Sequence, residues 1–153
     1  MIRLKVDNEA LAEEFFDGTR LLGIVGPIKD YQFCWQLNQA MQIDLRVNHD
    51  IEIVLTRKKR NYFFSIYEYA EPTGFLIHYL YNNQFDGEYL LPEFKHLDFL
   101  WLMKGDTMGD TGVTALVQSI KQIPGVQLVM ELSTEKIKNK GHDILMWGNA
   151  GVR

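Results

Sequence analysis

Three short apolar runs in the middle of the chain, Ile51-Glu52-Ile53-Val54-Leu55, Tyr62-Phe63-Phe64-Ser65-Ile66-Tyr67 and Phe75-Leu76-Ile77-His78-Tyr79-Leu80, limit the fold more than any other feature. They are rich in β-branched and aromatic side chains, which suit a pleated, half-buried surface. The polar separators Lys58-Lys59-Arg60-Asn61 and Glu71-Pro72-Thr73-Gly74 are too short for a helical crossover, so successive runs pair as an antiparallel meander of hairpins. A fourth run, residues 97–104, is apolar on both faces apart from Asp98, the pattern of a central strand.

Helical spacing flanks this block. Asp30 is placed to cap a helix over residues 31–42, with Tyr31, Cys34, Trp35, Leu37 and Met41 as its apolar positions. Val113, Leu116, Val117, Ile120 and Ile123 mark a second helix, started by Asp110 or Thr111 and stopped by Pro124-Gly125. An extended pattern then resumes over residues 126–132. Near the start, alternation of Ile2, Leu4 and Val6 predicts a strand, Asn8 a cap for a short helix over 9–16, and Gly23-Ile24-Val25-Gly26-Pro27 a connecting loop. The expected fold is α+β: an antiparallel or mixed sheet of about six strands, with two to three helices packed mainly on one face. Residues 1–153 are expected to form a single domain, with an apolar cluster Ile144-Leu145-Met146-Trp147 and a short flexible tail from about residue 148.

The charge balance narrows the function classes. Lys and Arg total 16 against 20 Asp and Glu, a formal net charge of -4, which offers no global attraction to nucleic acid or anionic lipid. No run approaches the ~20 apolar residues that span a bilayer, and the alternating N-terminus is unlike a secretory signal, so a cytoplasmic protein without membrane contact is expected. The single cysteine, Cys34, excludes an internal disulfide; set among Tyr31, Phe33, Trp35 and Leu37, it reads as an inert core thiol.

Assembled chemistry is hard to find. The loop Lys104-Gly105-Asp106-Thr107-Met108-Gly109-Asp110-Thr111-Gly112 precedes a helix, yet it lacks a phosphate-loop lysine, fails the EF-hand register and reads as a turn with a cap. His49, His78, His96 and His142 are scattered without metal-ligand spacing, and Ser65, Ser119 and Ser133 have no histidine partner nearby in sequence. No cofactor or metal is expected. Glu93, His96 and Asp98 form the one tight acid-base grouping, where Pro92 opens a turn into the central strand; satisfying backbone donors there is the ordinary role, and an acid or base the sharper one. Arg57, Lys58, Lys59 and Arg60 form a basic hairpin tip beside Tyr62, which would suit RNA or an acidic partner; the net charge argues for a solvated turn instead.

The segment Leu91-Pro92-Glu93-Phe94-Lys95-His96-Leu97-Asp98-Phe99 resembles the signature of the bacterial IPExxxVDY family, with Leu91 for Ile, Leu97 for Val and Phe99 for Tyr. Cys34-Trp35 after an aspartate-tyrosine helix start, and a strand ending at Lys104-Gly105, extend the likeness. The resemblance implies neither an activity nor a cofactor. The leading expectation is therefore a non-enzymatic interaction or adaptor module, with a protein partner or self-association through the aromatic hairpin and the cluster ending at Trp147. The alternative is a small enzyme or metabolite-binding protein with a pocket near Glu93, His96 and Asp98; RNA binding through residues 57–61 ranks behind both.

Overall fold

The strand-rich middle of the chain folds as its spacing requires. The computed structural model describes residues 19–72, 76–105 and 109–133, the side chains of residues 50–52 and 57 excepted. In chain order the elements are β1 (Arg20–Val25), α1 (Asp30–Met41), β2 (Arg46–Arg57), β3 (Arg60–Ala70), β4 (Ile77–Asn82), β5 (Gln84–Phe85), β6 (Glu88–Tyr89), a 3-10 turn (Pro92–Phe94), β7 (Phe99–Lys104), α2 (Asp110–Lys121) and β8 (Leu128–Leu132). Among the described residues the main sheet has six strands in the order β2-β3-β4-β7-β1-β8, and every neighbouring pair is antiparallel. The β5-β6 hairpin makes a small second sheet, so the strand total slightly exceeds the expected one. The fold is α+β.

β7 shows how the two faces are built. Phe99, Trp101 and Met103 join the core beneath the helices, while Leu100 and Leu102 join the core of the opposite face. This is the period of two of a strand with both faces covered, which is why the run carries no polar alternation. Phe33, Cys34 and Leu37 from α1 and Val113, Leu116 and Ile120 from α2 enter the first core, so both helices pack on one face. The second core holds Leu21, Ile53, Leu55, Tyr62, Phe64, Ile66 and Tyr81, and it is closed by Leu90, Leu91 and Leu97 from the segment before β7.

That closing segment is held by one amide. Asn83 is fully buried; its Nδ2 donates to the carbonyls of Phe94 and Leu97 at 3.0 and 2.8 Å, and its Oδ1 accepts from the Leu91 N–H at 2.9 Å. Its own backbone pairs with the Asp98 carbonyl and the Leu90 N–H. A buried amide with its side-chain donors and acceptor engaged fixes a non-repetitive loop as firmly as a ladder fixes a strand.

Several sequence expectations need correction. Residues 23–25 lie not in a loop but in β1, which sits between β7 and β8. Gly23 misleads because it is a packing device: a Cβ there would stand 2.4 Å from Leu97 Cδ1, so the missing side chain is what lets Leu97 close over the strand. On α1, Tyr31 and Trp35 point to solvent, and Phe33, Cys34 and Leu37 are the buried set. Asp30 is the first helical residue and not the cap; its carboxylate accepts the Tyr67 hydroxyl at 2.8 Å, tying the first turn to β3. Asp110 likewise opens α2, with Gly109 at the cap position, and Arg20 binds its carboxylate at 2.8 Å. The expected strand over 2–6, the helix over 9–16, the cluster with Trp147 and the tail lie outside the described residues.

Candidate functional site

The acid-base grouping is built into the loop that Asn83 holds. Glu93 is half-buried in the 3-10 turn begun by Pro92, and His96 is exposed just after it. Asp98 faces the end of β1: its Oδ2 accepts the Gly26 N–H at 2.8 Å while its backbone N–H donates to the Ile24 carbonyl. A carboxylate committed to a backbone donor stitches the loop to the sheet. A groove of about 560 Å³ opens elsewhere, between the end of α1 and β3, lined by Asn38, Gln42, Asp44, Glu68 and Tyr69 among others. None of Glu93, His96 and Asp98 lines it.

The basic tip is less basic than its sequence. Lys58 and Lys59 form the turn and are exposed, but Arg60 is salt-bridged to Asp86 and its guanidinium lies 5.2 Å from the Tyr62 ring centroid. Tyr62 is buried, because positions 62, 64 and 66 of β3 face the second core; the outward ring is Phe63. Tyr62 is therefore not available to stack on a base. The Arg57 side chain, like Trp147, lies outside the described residues.

Of the histidines, His78 is neither isolated nor exposed. It is buried, stacked against Tyr69, and accepts the Trp101 indole N–H at Nδ1 over 3.0 Å. Indole nitrogen only donates, so the ring proton sits on Nε2, 3.0 Å from Glu71 Oε1. Both nitrogens are thus engaged, and the ring serves to satisfy a buried tryptophan. Among the described residues, no group of three or more His, Cys, Asp or Glu side chains is placed to hold a metal ion. Burial, helped by the nearby Asp30 carboxylate, pushes the Cys34 thiol from 9.0 up to about 12, which keeps it protonated and unreactive at neutral pH.

What remains is a surface. Tyr31 and Trp35 are 66% and 64% exposed, one turn apart on the outside of α1. At about 100° per residue they lie roughly 160° and 200° around the helix from Phe33, on the side turned away from it. Gln32 and Gln39 are exposed beside them, and the one charged residue of α1, Asp30, is already bound to Tyr67. The platform is firm. Phe33 packs on Phe99 with ring centroids 4.6 Å apart, and the Asn38 amide exchanges two hydrogen bonds with the Leu45 backbone at 2.8 and 3.0 Å. Sequence reading placed both aromatics in the core; the signal it passed over was Phe33, whose register with Leu37 defines the alternative stripe.

No helix among the described residues is long and apolar enough to cross a membrane. Comparison with protein-family models and with curated proteins finds no match.

Proposed function

We propose that the chain is a non-enzymatic interaction module that binds a protein partner through the outer face of α1. The observation that carries this reading is the exposed pair Tyr31 and Trp35 on an anchored helix. Together they leave on the order of 250 Å² of aromatic side chain in water, flanked by the amides of Gln32 and Gln39. Large aromatics on a firmly packed helix are what protein interfaces concentrate their energy on, since a side chain with only two torsions loses little freedom on binding. Residues 30–41 of α1 include no lysine or arginine to meet a phosphate, which favours a protein surface with apolar and amide groups over a polyanion. IPExxxVDY membership, proposed from residues 91–99 with the wider pattern around Cys34-Trp35 and Lys104-Gly105, adds no chemistry to this reading.

The test is affinity capture from the cells that express the chain, comparing wild type with the Tyr31→Ala, Trp35→Ala double variant. The variant is expected to melt with the wild type, because both side chains face water, and to lose a discrete partner or bind it at least about tenfold more weakly. Equal recovery of every captured protein by both forms would overturn the assignment.

A further inference from the structure

β8 forms one margin of the main sheet, pairing with β1 along Leu128–Leu132 and with no other described strand. Sheet margins are ordinarily blunted by lysine, proline or a bulge. β8 reads Leu-Val-Met-Glu-Leu and has neither lysine nor proline. Its single charge, Glu131, is taken up by Arg20, whose Nε and Nη2 donate at 2.6 and 2.8 Å. Leu128, Met130 and Leu132 stand opposite Val25, Gly23 and Leu21 and so share the sheet face away from the helices. There Leu128 is 44% and Met130 38% exposed.

We propose that β8 pairs antiparallel with the β8 of a second copy of this chain, across a two-fold axis at Met130. The strand is complementary to itself in that register. Leu128 meets the second copy's Leu132, Met130 meets its own counterpart, and Val129 meets Glu131, whose charge is already held by Arg20. A slip of one residue would turn Glu131 onto the apolar face, which excludes the odd registers, and among the even ones only the register centred on Met130 pairs all five residues. The joined sheets run continuously through both copies, and two apolar strips become one. Because each strand is five residues long, the contact lies at the small end of specific interfaces and dissociates in roughly the micromolar range. It uses no residue of α1 and stands independently of the function proposed above.

The experiment is sedimentation of the full chain over about 1 to about 200 μM, a range that brackets the expected midpoint. Wild type is expected to pass from monomer to dimer, and Met130→Lys to shift that midpoint at least about tenfold upward, since two ammonium groups then meet across the axis. Met130→Cys gives a readout that does not depend on the lysine variant folding. On mild oxidation it should yield a disulfide-linked dimer, while Gln118→Cys on the exposed side of α2 should not. A monomer throughout the range overturns the proposal. So does a dimer that ignores Met130→Lys and leaves Met130→Cys uncrosslinked, and so does one abolished by Trp35→Ala alone, which would place self-association on α1.

Discussion

Asn83 concentrates the stability of the loop before β7 in one side chain. Asn83→Asp preserves shape and the acceptor for the Leu91 N–H, but it faces two carbonyl oxygens with a carboxylate. Unfolding in urea should show a loss of about 2 to 4 kcal/mol at neutral pH, partly recovered in acid, where a protonated aspartate donates once. A loss under about 0.5 kcal/mol would mean that the loop is held by its apolar contacts. At Gly23 the expectation is steric: Gly23→Ala drives a methyl against the buried Leu97 and should cost about 1 to 3 kcal/mol, with Gly23→Ala, Leu97→Val recovering part of it. Neither residue was legible in the sequence. An asparagine in a polar stretch and a glycine beside Gly26-Pro27 look like loop residues, and only the three-dimensional approach of residues 90–98 gives them their roles.

Among the elements, the hairpins were legible because short polar separators between β-rich runs leave antiparallel pairing as the one economical connection. The α1 face was not, because Tyr31, Cys34 and Trp35 fit a helical stripe as well as Phe33, Cys34 and Leu37 do. Only the sheet beneath decides between them. The β2-β3 turn offers a separate check. Lys58 and Lys59 both adopt the left-handed conformation, with φ of 55° and 63°, where two-residue hairpin turns ordinarily use Asn-Gly. Lys58→Asn, Lys59→Gly should raise stability by about 1 to 2 kcal/mol, measured as a higher urea midpoint at unchanged slope. A lower midpoint would show that the lysines themselves stabilise the tip.

For the whole molecule, the buried acids set the response to base. Cys34 ionises near 9.0 when unfolded and near 12 when folded, and burial also drives the Tyr67 and Tyr81 hydroxyls upward. The unfolded chain therefore releases these protons first. The stability contributed by keeping the Cys34 thiol neutral is fully present below pH 9.0 and is lost as pH rises towards about 12, by roughly 1.4 kcal/mol per pH unit. Urea melts at increasing pH check the sign, and a disulfide reagent should label Cys34 only on unfolding. The central claim, that this molecule works by presenting the outer face of α1 to another protein, is reached most directly by a photo-cross-linking residue at Gln32, between the two aromatics and exposed. In the cells that express the chain, the expected result is a discrete adduct with a different polypeptide, absent when the same probe is placed at Gln118 and lost with Trp35→Ala. No adduct at Gln32, or one that survives Trp35→Ala unchanged, would contradict it.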